Sequence, residues 1–247
     1  MLAIAGPATW SRPLRSTKDQ RSEMSIVGYF RRFARRLRTR GFFDTAAHSL
    51  SVARNKFQTA YIDLRYLGTV ATTRQLHANP EWHVSHHTDW QFLNNVFSAV
   101  PIEPNDVLVD VGCGDGRVLA YWLSKGLKNK MIGIELDQQT ARETARRFSS
   151  RPNVQILQGN AADLAAKCGG TLFYLANPFS GQTLKAFADA LRHTSARIVF
   201  YCYNELSAFD GWRIQKFLQD GEDQQWRFAI ITTEGSRREG REPSERP

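Results

Sequence analysis

Three glycines, Gly112, Gly114 and Gly116, alternate with other residues in a turn flanked by two carboxylates, Asp110 and Asp115. The full run, Val107-Leu-Val-Asp-Val-Gly-Cys-Gly-Asp-Gly-Arg117, reads as a buried strand, a tight turn and the start of a helix. Glycine tolerates positive φ and lets the backbone approach a ligand closely, so this is a nucleotide-type site at the carboxyl end of the first strand. A dinucleotide-binding loop reads G-x-G-x-x-G and offers a helix N-terminus to a pyrophosphate. Here the spacing is G-x-G-x-G, and two aspartates beside a pyrophosphate would set like charges together. No Gly-Lys-Ser/Thr follows, which excludes a phosphate-cradling P-loop. A cofactor with cationic groups makes the same carboxylates favourable. S-adenosylmethionine carries a sulfonium and an α-ammonium, so the charge pattern selects it over NAD.

Further residues extend that site. Glu135 ends the second strand, Met131-Ile-Gly-Ile-Glu, and an acidic side chain about 20 residues past the loop can take both ribose hydroxyls. Its plain alternative is a surface glutamate after a strand. The third strand runs into Gln158-Gly-Asn-Ala-Ala-Asp163, where Asn160 and the Ala161 backbone can meet the adenine edge and Asp163 competes for that role. Cys113, inside the loop, reads as a small packing residue rather than a nucleophile.

The run Asp110-x-Gly-x-Gly-x-Gly-Arg117, with Gly133-x-Glu135 and Gly159-Asn160, resembles the class I S-adenosylmethionine-dependent methyltransferases. It is most similar to a bacterial group of unassigned substrate, whose fourth strand ends in Asn-Pro-Phe and fifth in a Tyr-Tyr-Asn-like run. Here those are Asn177-Pro178-Phe179 and Tyr201-Cys-Tyr-Asn204, and Asp63-Leu-Arg-Tyr-Leu-Gly68 is similar to a segment just upstream of that group's catalytic domain. The resemblance spans Tyr61 to Thr232. It implies a cofactor site of Asp110, Gly112, Cys113, Gly114, Gly116, Glu135, Asn160, Ala161 and Asn177. It implies a catalytic turn of Asn177, Pro178 and Phe179, similar to the Asp/Asn-Pro-Pro-Tyr/Phe tetrad of amine-methylating relatives but with a single proline. The alternative makes Asn177 a turn former and Phe179 a core residue. Transfer from a sulfonium is an in-line displacement, so alignment of the nucleophile is the main task. A hydroxyl acceptor would also need a base, for which His77, His83, His86 and His87 lie just before the first strand, with Thr88 preceding an apolar helix in the resembling group. A metal site is not expected, because His86 and His87 are adjacent and no carboxylate stands at ligand spacing.

Strands are predicted at 107–111, 131–136, 153–158, 171–177 and 196–203, with helices at 116–125, 138–149 and 182–193. The runs Trp212–Leu218 and Trp226–Thr232, separated by Asp220–Gly221, are predicted to form a closing hairpin. This alternation predicts an α/β fold: a Rossmann-like, seven-stranded, mostly parallel sheet with helices on both faces and an antiparallel last strand. Ahead of it, residues 24–75 form a basic helical segment. No acidic residue occurs from Met24 to Phe43, and six arginines fall between Arg31 and Arg40, while Ile26, Phe30, Phe33 and Leu37 share one helical face. Asp44 is placed to cap a second amphipathic helix carrying Ala47, Leu50, Phe57, Tyr61 and Leu64 up to Gly68. Residues 69–90 read as irregular. Residues 1–23 are expected to be disordered or a misassigned start, with translation beginning at Met24. The methyltransferase domain is assigned to 76–233 and a disordered tail to 234–247.

The 247 residues suffice for one large domain, at a net charge of +9. Three widely spaced cysteines exclude a disulfide framework and fit a reduced, cytoplasmic setting. The expected function is methyl transfer to an unidentified small molecule, glycan or protein. Protein lysine N-methylation is one alternative. An RNA- or membrane-binding module with a vestigial cofactor site is another. The basic segment 24–43 is expected to touch an anionic membrane peripherally, at its inner face, and the missing aromatic-interleaved platform argues against nucleic acid.

Overall fold

The computed structural model describes residues 26–68, 88, 90–203, 205–220 and 225–233. The expected irregular stretch up to residue 87, residues 1–23 and the tail from 234 lie outside them. The apolar runs form seven strands: β1 Leu108–Val111, β2 Met131–Glu135, β3 Val154–Gln158, β4 Leu172–Leu175, β5 Arg197–Tyr201, β6 Arg213–Asp220 and β7 Gln225–Thr232. Their order in one sheet is β3-β2-β1-β4-β5-β7-β6. The first five are parallel, and β7 runs antiparallel to both β5 and β6. This is the Rossmann-like sheet predicted. Its order reverses between β1 and β4, and ligands of open α/β sheets bind beyond the carboxyl ends of the strands at such a switch.

The helices are α1 Ile26–Leu67, α2 Trp90–Ala99, α3 Arg117–Ser124, α4 Gln138–Arg147, α5 Ala161–Leu164 and α6 Gly181–Leu191. Strand alternation divides the core into two layers. Val109, Val111, Ile132, Phe173 and Ile198 pack with Leu184, Phe187 and Leu191 of α6. Leu108, Met131, Leu172, Tyr174 and Val199 pack on the other face with Phe92, Leu93 and Val96 of α2 and Leu119 and Trp122 of α3. Asp110 points to this second face. α2 starts at Trp90, the last residue of the stretch predicted to be irregular, and its Phe92, Leu93 and Val96 cover the sheet.

The chain divides into two compact units at Lys56 and Phe57, within α1. In the first unit the helix bends at Gly41, whose φ is 83° and ψ 172°. Asp44 therefore does not start a second helix. The break falls three residues earlier, at the residue whose missing Cβ permits it, and Thr45 Oγ1 donates to the Gly41 carbonyl at 2.7 Å. The residues at apolar helical spacing are not the buried ones. Leu50 in the first unit, and Phe57, Tyr61 and Leu64 in the second, are exposed. In the second unit it is Asp63 and Leu67 that are buried, with Gly68 closing the helix through its N–H to the Leu64 carbonyl.

Candidate active site

The loop after β1 holds Gly112, Gly114 and Gly116 at φ of 73°, 51° and 84°. The Gly112 and Cys113 N–H groups both donate to the Ile134 carbonyl, tying the loop to the end of β2. A Cβ on Gly112 would stand 3.0 Å from Cβ of Pro178, so the loop and the Asn177-Pro178-Phe179 turn after β4 are packed together. A Cβ on Gly116 would stand 2.4 Å from Cε2 of Phe148, which brings the end of α4 against the loop's other side. Gly133 leaves room for the Cys113 thiol, 2.7 Å from where its own Cβ would be. Burial, then Asp110 and Glu135, push that thiol well above its ordinary pKa, which keeps it protonated and unsuited to nucleophilic attack.

Two buried carboxylates stand beside this loop. Glu135 accepts from the Gly114 N–H through Oε2 and from the Asp137 N–H through Oε1, both at 2.9 Å. Burial raises its pKa against those bonds. A carboxylate offers about four lone-pair sites, so the backbone donors Gly114, Asp137 and Leu136 still leave capacity for a hydroxylated ligand. Asp110 is 3% exposed, and burial followed by the Glu135 charge pushes its pKa up to about 8. Nothing cationic pairs with it among the described residues. Asp115 differs: its carboxylate stands 4.0 Å from the Arg147 guanidinium, so its charge is already matched from within the chain. The negative character offered to a ligand therefore rests on Asp110 and Glu135.

Asn160 N-caps α5, its Oδ1 accepting from the Ala162 N–H at 2.9 Å, and Ala161 beside it is buried. The Gly159 N–H reaches the Glu135 carbonyl, which sets this turn next to the ribose candidate. Asp163 lies in the same short helix and is exposed. Asn177 has φ of 52°, a left-handed conformation that asparagine adopts more readily than most residues. Phe179 is buried, its ring 5.7 Å from that of Phe187, so it belongs to the core layer under α6. Asn204 and the four candidate histidines 77, 83, 86 and 87 lie outside the described residues. Thr88, next to those histidines, is buried and accepts from the Tyr174 hydroxyl at 3.1 Å. Tyr174, a buried residue of β4, stands in register opposite Asp110. Among the described residues no three His, Cys, Asp or Glu side chains gather as a metal site.

Residues 108–195 match the family described as Methyltransferase domain. The sheet order defines the fold class as Rossmann-like, and within it residues 108–195 are similar to a methyltransferase domain. Two curated relatives give it context. The chain is 28% identical over 105 residues to a protein of Archaeoglobus fulgidus named "Probable cobalt-precorrin-6B C(15)-methyltransferase (decarboxylating)", over 42% of this chain and 62% of the relative. It is 36% identical over 73 residues to a protein of Methanosarcina barkeri named "Probable ribosomal RNA small subunit methyltransferase A", over 30% of this chain and 25% of the relative. In each case the chain spans less than two thirds of the relative's length. Among solved structures, a methyltransferase from Pyrococcus furiosus aligns with a TM-score of 0.46 and 14% identity, over 74% of this chain and 97% of that one.

Proposed function

We propose that the protein transfers the methyl group of S-adenosylmethionine to an acceptor held at the Asn177 turn. The observation that carries this reading is the buried pair Asp110 and Glu135, with no cation paired to Asp110 among the described residues, beside a loop whose three glycines hold positive φ. Two carboxylates in one low-dielectric site are stable together only with a proton or a cation between them. The residues therefore fit a cationic donor. Asp110 would face its charged methionine end, Glu135 its ribose hydroxyls, and Asn160 with the Ala161 backbone its adenine. Bound there, the donor supplies an electrophilic methyl carbon. The chain's own contribution is to bind, to orient and to exclude water. Asn177, fixed against the loop through Pro178, presents a side-chain amide that accepts from an amine or donates to an oxygen nucleophile. The acceptor is a small molecule, a glycan or a protein, with lysine N-methylation the reading favoured by an amide at this position. Calorimetric titration with S-adenosylmethionine tests the assignment: Asp110→Ala and Gly114→Arg each abolish binding, and unchanged affinity in both would remove it. Labelled methyl transfer into fractionated host lysate then assigns the acceptor class.

A second observation supports a place of action. Phe42 and Phe43 are 68% and 88% exposed in the first unit, where Arg35, Arg38, Arg54 and Lys56 are exposed too. Exposed aromatic rings beside exposed cations suit the headgroup layer of an anionic membrane, with the guanidinium groups reaching to the phosphates. On this reading the basic segment 24–43 holds the enzyme peripherally at the inner face of a membrane. None of the described helices is long and apolar enough to cross one. Salt-sensitive co-sedimentation with anionic vesicles, lost in Phe42→Ser/Phe43→Ser, is the expected result. Retention on RNA instead, or binding indifferent to the double substitution, overturns it.

A further inference from the structure

The glycine loop is fastened from outside the segment that matches the methyltransferase family. Asp63, in the last turns of α1, is completely buried, and its two oxygens take separate partners. Oδ2 accepts from Nη2 of Arg117, the residue that directly follows Gly116, at 2.5 Å. Oδ1 accepts from the Trp90 indole N–H at 3.3 Å, at the start of α2. Four residues further along α1, the Leu67 carbonyl accepts from Nε of Arg147 at 2.8 Å, and Nη1 of the same guanidinium donates to the Asp115 carbonyl at 2.9 Å. One turn before Arg147, Thr144 Oγ1 donates to the Gly114 carbonyl at 2.7 Å. The end of α1 thus grips both flanks of loop residues 114–117, once through an ion pair and once through a shared guanidinium.

We propose that Asp63 is a positioning residue for the cofactor loop, acting through Arg117, and that the last turn of α1 is the strap holding the loop in its binding geometry. The proposal rests on the reading of this loop as the S-adenosylmethionine site. Its physical basis is the cost of leaving half of a buried ion pair behind. Without Asp63 the Arg117 guanidinium, which is 11% exposed and whose Nε has no acceptor among the described residues, must find another anion. The carboxylates available to a residue at the loop's edge are those of the loop itself. A guanidinium that turns to them competes with the cationic donor for the same charge. The left-handed backbone at Gly114 and Gly116 provides the freedom for that turn, because glycine meets no steric barrier to leaving it.

The test uses the full chain, with S-adenosylmethionine as the calorimetric probe and thermal melting in parallel. Asp63→Asn preserves shape and removes the charge; it is expected to raise the Kd by about tenfold or more. Asp63→Asn/Arg117→Gln should recover much of that loss, because the stray cation is gone. A merely structural contact would lower the melting temperature in all variants and show no recovery. Should Asp63→Asn fail to fold, Arg117→Lys against Arg117→Gln supplies the comparison: the lysine, which can still pair with Asp63, should bind closer to the parent than the neutral variant, and equal affinities in the two overturn the strap. A Kd within twofold of the parent in Asp63→Asn, with only the melting temperature lowered, overturns the strap. So does an equal or greater loss in the double variant. Failure of the unsubstituted chain to bind the probe instead removes the cofactor reading.

Discussion

The buried Asp110 makes donor binding a proton-coupled event. With its pKa at about 8 in the empty protein, only about a tenth of the molecules carry the ionised carboxylate at pH 7. A cationic ligand binds the ionised form, so binding at pH 7 must expel a proton at a cost of about 1.4 kcal/mol. The expected Kd therefore falls about tenfold per pH unit from pH 6 to pH 8 and then levels. Stability runs the other way. The folded pKa lies above the ordinary value of 3.8, so the contribution of this group is fully present below pH 4. It is lost as pH rises toward 8, and bound donor offsets the loss. The assay is calorimetry in two buffers of different ionisation enthalpy at pH 6, 7, 8 and 9, which gives Kd and protons released together. Asp110→Asn is the control, since titration of the donor itself is common to both proteins and cancels in their ratio. The variant should bind weakly with no pH slope of its own. Identical slopes and identical proton release in the two proteins would refute the argument.

Two other outcomes follow from the same geometry. Gly116→Ala sets a methyl group 2.4 Å from Cε2 of Phe148 at φ of 84°, so unfolding free energy should fall by about 2–4 kcal/mol in a denaturant titration. Gly116→Ala/Phe148→Ala should not restore it fully, because the backbone strain stays. For Asn177→Ala the expected result is a large loss of turnover with donor affinity changed less than about threefold, read as a split between kcat and Kd in labelled transfer and calorimetry; equal losses in both would make the residue structural.

Local sequence specifies some elements of this protein more fully than others. The strands were legible because the central parallel strands, covered on both faces, are mostly apolar and the half-buried edge strand β3 still carries Val154, Ile156 and Leu157; each of β1 to β5 ends within about two residues of its expected limit. The glycine loop was legible because its spacing and its carboxylates are local. Asn177 and Gly112 were each found, but their adjacency belongs to the order of strands, which puts β4 beside β1. Asp115 looked like an open charge in the sequence and is matched by Arg147 in the fold. The helix ending at Leu67 shows the limit most clearly. Periodicity tells that a face is apolar but not which way it turns. A buried ion pair to Arg117, 54 residues further along the chain, turned Asp63 inward and left Phe57, Tyr61 and Leu64 outside. Local pattern thus determined the cofactor loop and the sheet. Tertiary packing alone decided which charges stay unmatched, since a charge is matched by neighbours in space and those come from distant positions in the chain.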